Sequence, residues 1–250
     1  MIHKKIENLI KKLLPINRYL HRKICAGTSL SLDYASNKEG IPILEAIFIH
    51  REYADYFPMQ QEVVIVDIGA HYGYFSLFAA LNVSEKSKIF SLEPSPSNFP
   101  ILEKNIQANR FSNIQLFNLG LDNQSGERQL SAGVSYNHSF FGPPEKENQT
   151  VSTLSLKDFI QEQNMKRIDF LKLDCEGAEF PILLAADADD LAIITTISME
   201  FHDLPEVNYT SLQLLQHLKN HGFEIVKYHH DSDYSFSNLS FGKIIATKAP

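Results

Sequence analysis

Val63-Val64-Ile65-Val66-Asp67-Ile68-Gly69-Ala70-His71-Tyr72-Gly73 is the stretch whose reading decides the fold. An apolar, β-branched run of this length favours a strand buried on both faces, and here it stops at an acid before breaking into closely spaced glycines. Gly69 and Gly73 remove side chains where a ligand, or the following helix, must approach closely. The spacing is not the Gly-x-Gly-x-x-Gly pattern of dinucleotide sites. An acid two residues ahead of the first glycine suits a ligand with a cationic group instead.

Downstream of this run strand and helix signals alternate, which predicts an α/β fold with a mainly parallel sheet. Strands are expected near 63–67, 88–92, 114–118, 168–173, 193–200, 223–228 and 242–247, with helices between most of them. Ser97 is the expected cap of a helix carrying Phe99, Leu102 and Ile106, with Pro100 in its first turn. Ser155 opens another helix, with Asp158 three residues on as a capping-box variant. Leu212, Leu215 and Leu218 form the stripe of a late helix that Gly222 terminates. Residues 126–150, with Gly126, Gly133, Gly142, Pro143 and Pro144, break the alternation and read as an irregular hairpin or flap. The polar stretch from His229 to Ser240 joins two antiparallel strands.

Upstream, Ile43, Leu44, Ile47 and Phe48 predict a helix feeding the first strand. Ile2, Ile6, Leu9, Ile10, Leu13 and Leu14 recur at helical spacing with lysines between them, and Pro15 closes the segment. Residues 1–60 therefore read as an N-terminal basic amphipathic helical extension, and residues 61–250 as the main domain. The basic helix suits packing on the body, pairing with a second copy as a homodimer, or a peripheral contact of residues 1–24 with an anionic membrane surface.

The bulk numbers exclude several classes. Of 250 residues, 44% are hydrophobic and 21% charged, as in a soluble globular protein. No apolar run approaches the roughly 18–20 residues of a membrane span, and Lys11 and Lys12 interrupt the N-terminal pattern before a secretory h-region develops. Cys25 and Cys175 have neither metal-site spacing nor a disulfide framework, so a reducing cytoplasm is the expected compartment. The net charge of −7 hides an asymmetry: residues 1–23 hold seven Lys or Arg against Glu7 alone, leaving 16 basic and 29 acidic residues in the other 227. Such a body repels a nucleic-acid backbone, which argues against a DNA or RNA substrate.

In open α/β sheets ligands bind beyond the carboxyl ends of the strands, so the polar residues that matter stand where each apolar run stops. Glu93 ends the second strand, roughly 20 residues past the glycines, where a carboxylate can accept both ribose hydroxyls of a nucleoside. That spacing serves S-adenosylmethionine and NAD alike. Asp122, in Gly120-Leu121-Asp122, follows the third strand, near an adenine edge or in a plain surface turn. The fourth strand end is the densest, with Lys172, Asp174, Glu176 and Glu179. Alternation puts Phe170, Lys172 and Asp174 on one face, and a lysine inside an apolar strand needs a partner or a polar pocket. Carboxylates this close together need cations, protons or a substrate between them. At the fifth end Glu200 and His202 point the same way, so Asp174, Glu200 and His202 are candidate ligands for a divalent cation such as Mg or Mn. His202 is also a candidate general acid or base. His138, in the flap, is a weaker candidate.

Taken together these residues resemble an FkbM-type S-adenosylmethionine-dependent methyltransferase. The resemblance rests on Val66 to Gly73, on Phe90 to Phe99 with Leu102, Asn105 and Asn109, on Val151 to Leu156, on Ile168 to Glu179, and on Met199 to His202. It covers roughly residues 60–230. It implies a class I methyltransferase (Rossmann-like) fold, a seven-stranded, mostly parallel sheet with one antiparallel strand, and methyl transfer to a hydroxyl of a sugar, a glycan or a related small natural product. Asp67, Gly69, Ala70, His71, Gly73, Glu93 and Asn98 would line the cofactor, with Asp122 near adenine, while Lys172, Asp174, Glu176, Glu200 and His202 would form the catalytic side. The family's Thr-Leu-Asp stands here as Thr153-Leu154-Ser155. Two rival readings are an inactive cofactor-binding scaffold partnering a glycan-assembly enzyme and an NAD-dependent oxidoreductase, the latter opposed by the missing third glycine.

Overall fold

The computed structural model describes residues 30, 40–131, 148–204, 207–231 and 240–248. The basic stretch 1–24 and the flap histidine, His138, lie outside the described residues. Among those described, the element order is α1 (Gly40–Phe48), β1 (Val64–Ile68), α2 (Tyr74–Asn82), β2 (Lys88–Leu92), α3 (Phe99–Asn109), β3 (Ile114–Phe117), β4 (Gly120–Asp122), β5 (Gly126–Leu130), β6 (Gln149–Ser155), α4 (Leu156–Glu162), β7 (Ile168–Leu173), α5 (Glu179–Ala185), α6 (Ala188–Ala192), β8 (Ile194–Asp203), α7 (Ser211–Asn220), β9 (Glu224–Asp231) and β10 (Ser240–Thr247).

Seven of these strands form one sheet in the order β3-β2-β1-β7-β8-β10-β9. β10 runs antiparallel to both of its neighbours, β8 and β9, and the pairings from β3 across to β8 are parallel. This is the class I methyltransferase topology. The sheet is laid outward in opposite directions from β1 and β7, and such a switch point leaves a crevice at the carboxyl ends of those two strands.

Period-two alternation divides the core into two layers. Val66, Ile68, Phe90, Leu171, Leu173, Ile197, Met199 and Phe201 face one way and bury against Phe159, Phe180, Leu214 and Leu218 of α4, α5 and α7. Ile65, Ile89 and Phe170 face the other way, against Leu44, Ile47, Tyr53, Phe57, Phe75 and Phe78. Phe170 stacks on Phe75 at 6.0 Å between centroids, and Phe57 meets it edge-on at 5.2 Å. Residues 44–57 thus bury in the same cluster as β1 and α2.

Two local expectations are corrected. Ser97 does not cap α3; the helix is entered through Asn98, already in helical geometry, and Ser95 Oγ accepts the amides of Ser97 at 3.3 Å and Asn98 at 3.4 Å. Pro100 still falls in the first turn. In α7 the core-facing residues are Leu214 and Leu218, with Leu215 half-buried, while Leu212 is 70% exposed. A strict three-residue spacing drifts around a helix, whereas the pair four apart keeps one face. The expected hairpin is present at its base, where β5 pairs antiparallel with β6 and β6 pairs parallel with β4 in a second, three-stranded sheet; residues 132–147, which carry most of the glycines and prolines of that reading, lie outside the described residues. Ser155 caps α4 as expected, its Oγ accepting the Asp158 amide at 3.0 Å, and Gly222 follows the end of α7 with φ +82°.

Gly69 and Gly73 owe their identity to close packing. Gly69 has φ +75°, and a Cβ there would collide with the carbonyl oxygen of Asp174. Gly73 has φ +80°, and a Cβ there would stand 2.5 Å from Leu102 Cδ1. Gly222 is equally left-handed but has nothing within 4 Å of its Cβ position. Gly222→Ala should therefore cost only the left-handed penalty, about 1 kcal/mol in urea unfolding. Gly69→Ala should cost about 3 kcal/mol or more, because backbone strands must part.

Candidate active site

The glycine loop after β1 is held from behind. Its amides at Gly69 and Ala70 donate to the Leu92 carbonyl at 3.1 and 2.9 Å, and the His71 amide donates to Glu93 Oε2 at 2.8 Å. His71 has φ +51°, which turns its amide toward that carboxylate. Glu93 Oε1 accepts the Ser95 amide at 2.9 Å. Each Glu93 oxygen so engaged retains a second acceptor direction, which fits a pair of vicinal hydroxyls. Burial pushes the Glu93 carboxyl up to about 7, against the lowering effect of the Ser95 and His71 amides.

Asp67 is fully buried, and the cation it meets belongs to the chain. Its Oδ2 accepts from Ser76 Oγ at 2.6 Å, and its Oδ1 stands 3.2 Å from Lys172 Nζ. The register that puts Asp67 beside Lys172 also puts Lys172 beside Ser198. Lys172 donates to the Gly69 carbonyl at 2.7 Å and lies 3.8 Å from Asp174 Oδ2. Burial pulls its ammonium down, but Asp67 and Asp174 outweigh that and leave its pKa raised. Asp122 is likewise occupied, with Oδ1 accepting the Asn123 amide at 2.7 Å and Oδ2 paired with Arg128. Asn98 is buried at the start of α3, its carbonyl accepting the Ile101 and Leu102 amides at 3.0 Å each.

Across the crevice, the turn after β7 brings carboxylates around one imidazole. Glu179 Oε1 accepts the Cys175 amide at 2.7 Å and Oε2 the Gly177 amide at 2.8 Å. This fixes the turn that carries Glu176 at φ +55°, an unusual backbone state for a residue with a side chain. His202 Nε2 lies 3.6 Å from Glu176 and 3.5 Å from Glu200, and Nδ1 lies 3.7 Å from Glu179. Burial would lower the imidazole, but Glu179, Glu200 and Glu176 together raise it well above its usual value. Burial raises Glu176 to about 8, with His202 opposing and Asp174 reinforcing the shift. Glu200 is raised too, by burial and then by Asp174.

The expected divalent-cation site at Asp174, Glu200 and His202 is corrected. Among the described residues no group of three or more His, Cys, Asp or Glu is arranged to hold a metal ion. The physical reason is one of placement: Asp174 Oδ2 is held by Tyr53 and Lys172, while the ring nitrogens of His202 meet Glu176, Glu179 and Glu200. The remaining candidates do come together: Lys172, Asp174, Glu176, Glu200 and His202 form one cluster at the ends of β7 and β8.

Sequence reasoning missed Tyr53 and Lys243. Tyr53 Oη donates to Asp174 Oδ2 at 3.1 Å from a segment that precedes β1. Lys243 pairs with Glu52 and stands opposite Glu200 in the register of β10 on β8. Neither lies in a motif, and only the parity of β10 relative to β8 would have pointed to Lys243.

A profile of the methyltransferase FkbM domain matches residues 67–225. Methyltransferase 1 of Beauveria bassiana (strain ARSEF 2860) is 27% identical over 187 residues, which span 64% of this chain and 75% of that protein. Methyltransferase sdnD of Sordaria araneosa is 25% identical over 222 residues, 74% of this chain and 84% of its own length. Among solved structures, a candidate rRNA methylase from Clostridium thermocellum has a TM-score of 0.50 at 9% identity, covering 81% of this chain and 96% of that one, a likeness of fold alone.

Two outcomes follow from the geometry. Hydroxyls donating to Glu93 would stabilise its carboxylate and not its acid form, so S-adenosylhomocysteine should bind about tenfold more tightly at pH 8 than at pH 6, with proton release visible in calorimetry. Glu93→Gln should remove that pH dependence. Lys172→Met should destabilise the protein by about 3–5 kcal/mol, because Asp67 is left buried and unpaired, and adding Asp67→Asn should restore much of the loss in urea unfolding.

Proposed function

The chain belongs to the FkbM methyltransferase family, and from that premise we propose that it moves the methyl group of S-adenosylmethionine to a hydroxyl oxygen of a sugar, a glycan or a related small natural product. That it is an S-adenosylmethionine-dependent methyltransferase rests on the family match and its relatives. The hydroxyl acceptor is our reading of the site. The observation that carries it is the contact between the two halves of the crevice: Gly69, on the cofactor side, packs directly against the backbone of Asp174, which opens the carboxylate cluster.

When bound, the cofactor supplies an electrophilic methyl on a sulfonium, and transfer leaves a neutral thioether. The chain's own residues do the rest. Glu93 and the loop from Gly69 to Gly73 fix the nucleoside end through hydrogen bonds and close backbone approach, which converts a bimolecular encounter into an aligned one. A hydroxyl is a poor nucleophile near neutral pH, so its proton must go to a base as the new carbon–oxygen bond forms. Glu176 is that base in our reading. Its side chain is reachable, at 27% exposure, and its pKa near 8 makes its carboxylate a stronger proton acceptor than an ordinary glutamate. His202, as an imidazolium, compensates the surrounding negative charge, and Lys172 does the same for Asp67 and Asp174. A net charge of −7 supports a small or glycan acceptor over nucleic acid.

The test is to incubate the purified protein with methyl-labelled S-adenosylmethionine and a panel of monosaccharides, methyl glycosides and hydroxylated polyketides, then locate the label by mass spectrometry and NMR. Label on oxygen is the expected outcome. Label on nitrogen or carbon, or none on any acceptor, would overturn the assignment. With a working acceptor, kcat/KM should rise with pH through about 8, and Glu176→Gln should lower kcat about a hundredfold and remove that limb.

A further inference from the structure

Residues 52–55 form a short strap that crosses the outer half of the sheet, over β7, β10 and β9. Glu52 pairs with Lys243 of β10, Tyr53 donates to Asp174 at the end of β7 at 3.1 Å, and Asp55 pairs with Lys227 of β9 at 2.7 Å. The strap is seated by Phe57, which packs against Phe75, Phe78 and Phe170 at 6.1, 5.4 and 5.2 Å between centroids. Its backbone is tied down where the Glu52 amide donates to the Ala46 carbonyl at 3.1 Å and the Ala54 amide to the Arg51 carbonyl at 2.9 Å. Every one of Glu52, Tyr53, Asp55, Lys227 and Lys243 lies outside the family-matched residues 67–225. The strap therefore adds to the site from sequence that the family pattern does not describe.

The Tyr53 ring is buried, and two ammonium groups lie near it. Lys172 Nζ is 5.8 Å and Lys243 Nζ 5.2 Å from its centroid, within cation–π reach. Its hydroxyl has one carboxylate to serve, and that carboxylate is partly open: the Asp174 side chain is 32% exposed where Asp67 is wholly covered. Burial and the neighbouring Asp174 both hold the phenol in its protonated, donating form, raising its pKa well above the usual value. The Tyr53 hydroxyl and the Lys172 ammonium both meet Oδ2 of that carboxylate, so its orientation is set through one oxygen.

We propose that Tyr53 is a positioning residue for the methyl-transfer site, fixing the Asp174 carboxylate toward the acceptor, and that the Glu52–Lys243 pair beside it is a specificity element for the same acceptor. The proposal rests on the reading that the acceptor occupies the β7–β8 side of the crevice. Tyr53 acts through Asp174 and touches neither reacting atom. Lys243 acts by presenting an ammonium already balanced by Glu52 beside Glu200, an arrangement that favours an uncharged, hydroxyl-bearing group over an anionic one.

The experiment compares the full-length protein with Tyr53→Phe and Glu52→Gln, each with S-adenosylhomocysteine. Tyr53→Phe keeps the ring and its packing, so S-adenosylhomocysteine affinity by calorimetry should stay within twofold. Crystal structures of the two should show the Asp174 side chain leaving its rotamer or losing order in Tyr53→Phe, with Lys172 and Gly69 unmoved. On an acceptor from the panel above, Tyr53→Phe should lower kcat about tenfold at nearly constant acceptor KM, while Glu52→Gln should raise acceptor KM at nearly constant kcat. An unchanged Asp174 rotamer in Tyr53→Phe, or a loss of S-adenosylhomocysteine binding as large as the loss of turnover, would overturn the positioning role. Unchanged acceptor KM in Glu52→Gln would overturn the specificity role. If the unaltered protein methylates no acceptor, the hydroxyl-transfer reading fails by itself, and the crystallographic comparison still decides Tyr53.

Discussion

The ammonium of Lys172, enclosed between β1 and β7, has to be satisfied inside an apolar sheet, and the shape of the site follows from how that is done. An unpaired charge at that depth would cost several kcal/mol. Asp67 supplies the counter-charge from the adjacent strand, at 3.2 Å. Asp67 in turn needs Ser76 on α2, and Ser76 lies 2.6 Å from Ser91 on β2. The Gly69 carbonyl points back at the same ammonium, at 2.7 Å, and the Asp174 carbonyl fills the space that a side chain at Gly69 would need. The glycine loop after β1 is thus held from beneath by a residue of β7.

Charge is divided unevenly over the two halves of the crevice. Around the glycine loop the buried Asp67 is balanced by Lys172, and the buried Glu93 accepts two backbone amides. On the other half, Glu176, Glu179 and Glu200 converge on His202, and one imidazolium cannot neutralise all of them. Part of the excess is relieved by protons, since burial raises both Glu176 and Glu200. Glu179 is satisfied by the amides of its own turn.

The sheet, its strand order and the strand-end acids were legible because parallel strands are buried on both faces and end abruptly at polar residues. The pairing of Lys172 with the strand-end acids was legible too, as a lysine within an apolar run demands partners. What the carboxylates do was less legible. Asp67 looks like a ligand contact from its place before Gly69, yet only the third dimension shows that Lys172 consumes it. Ser155 stands where the family has an acid, and the structure gives the reason that the exchange is tolerated: the position caps α4, a role that serine and aspartate both fill. Ser97 and Leu212 were misread for a common cause, since local spacing does not say which of several nearby candidates geometry will select. Tyr53 was invisible because nothing near it in sequence shares its task.

The strap at residues 52–55 also bears on how the chain assembles. Tyr53 finds Asp174 across 121 positions and Asp55 finds Lys227 across 172, beyond even the 105 that separate Ile65 of β1 from its partner Phe170 of β7. Contacts of that kind raise contact order and form late, after loop-closure entropy has been met by nearer pairings. During synthesis the glycine loop and Glu93 can settle once β7 is available, but the wall over β10 and β9 waits for the last strands to emerge. A nascent chain that still lacks β9 and β10 therefore holds Glu52 and Asp55 without the lysines that pair with them in the folded protein.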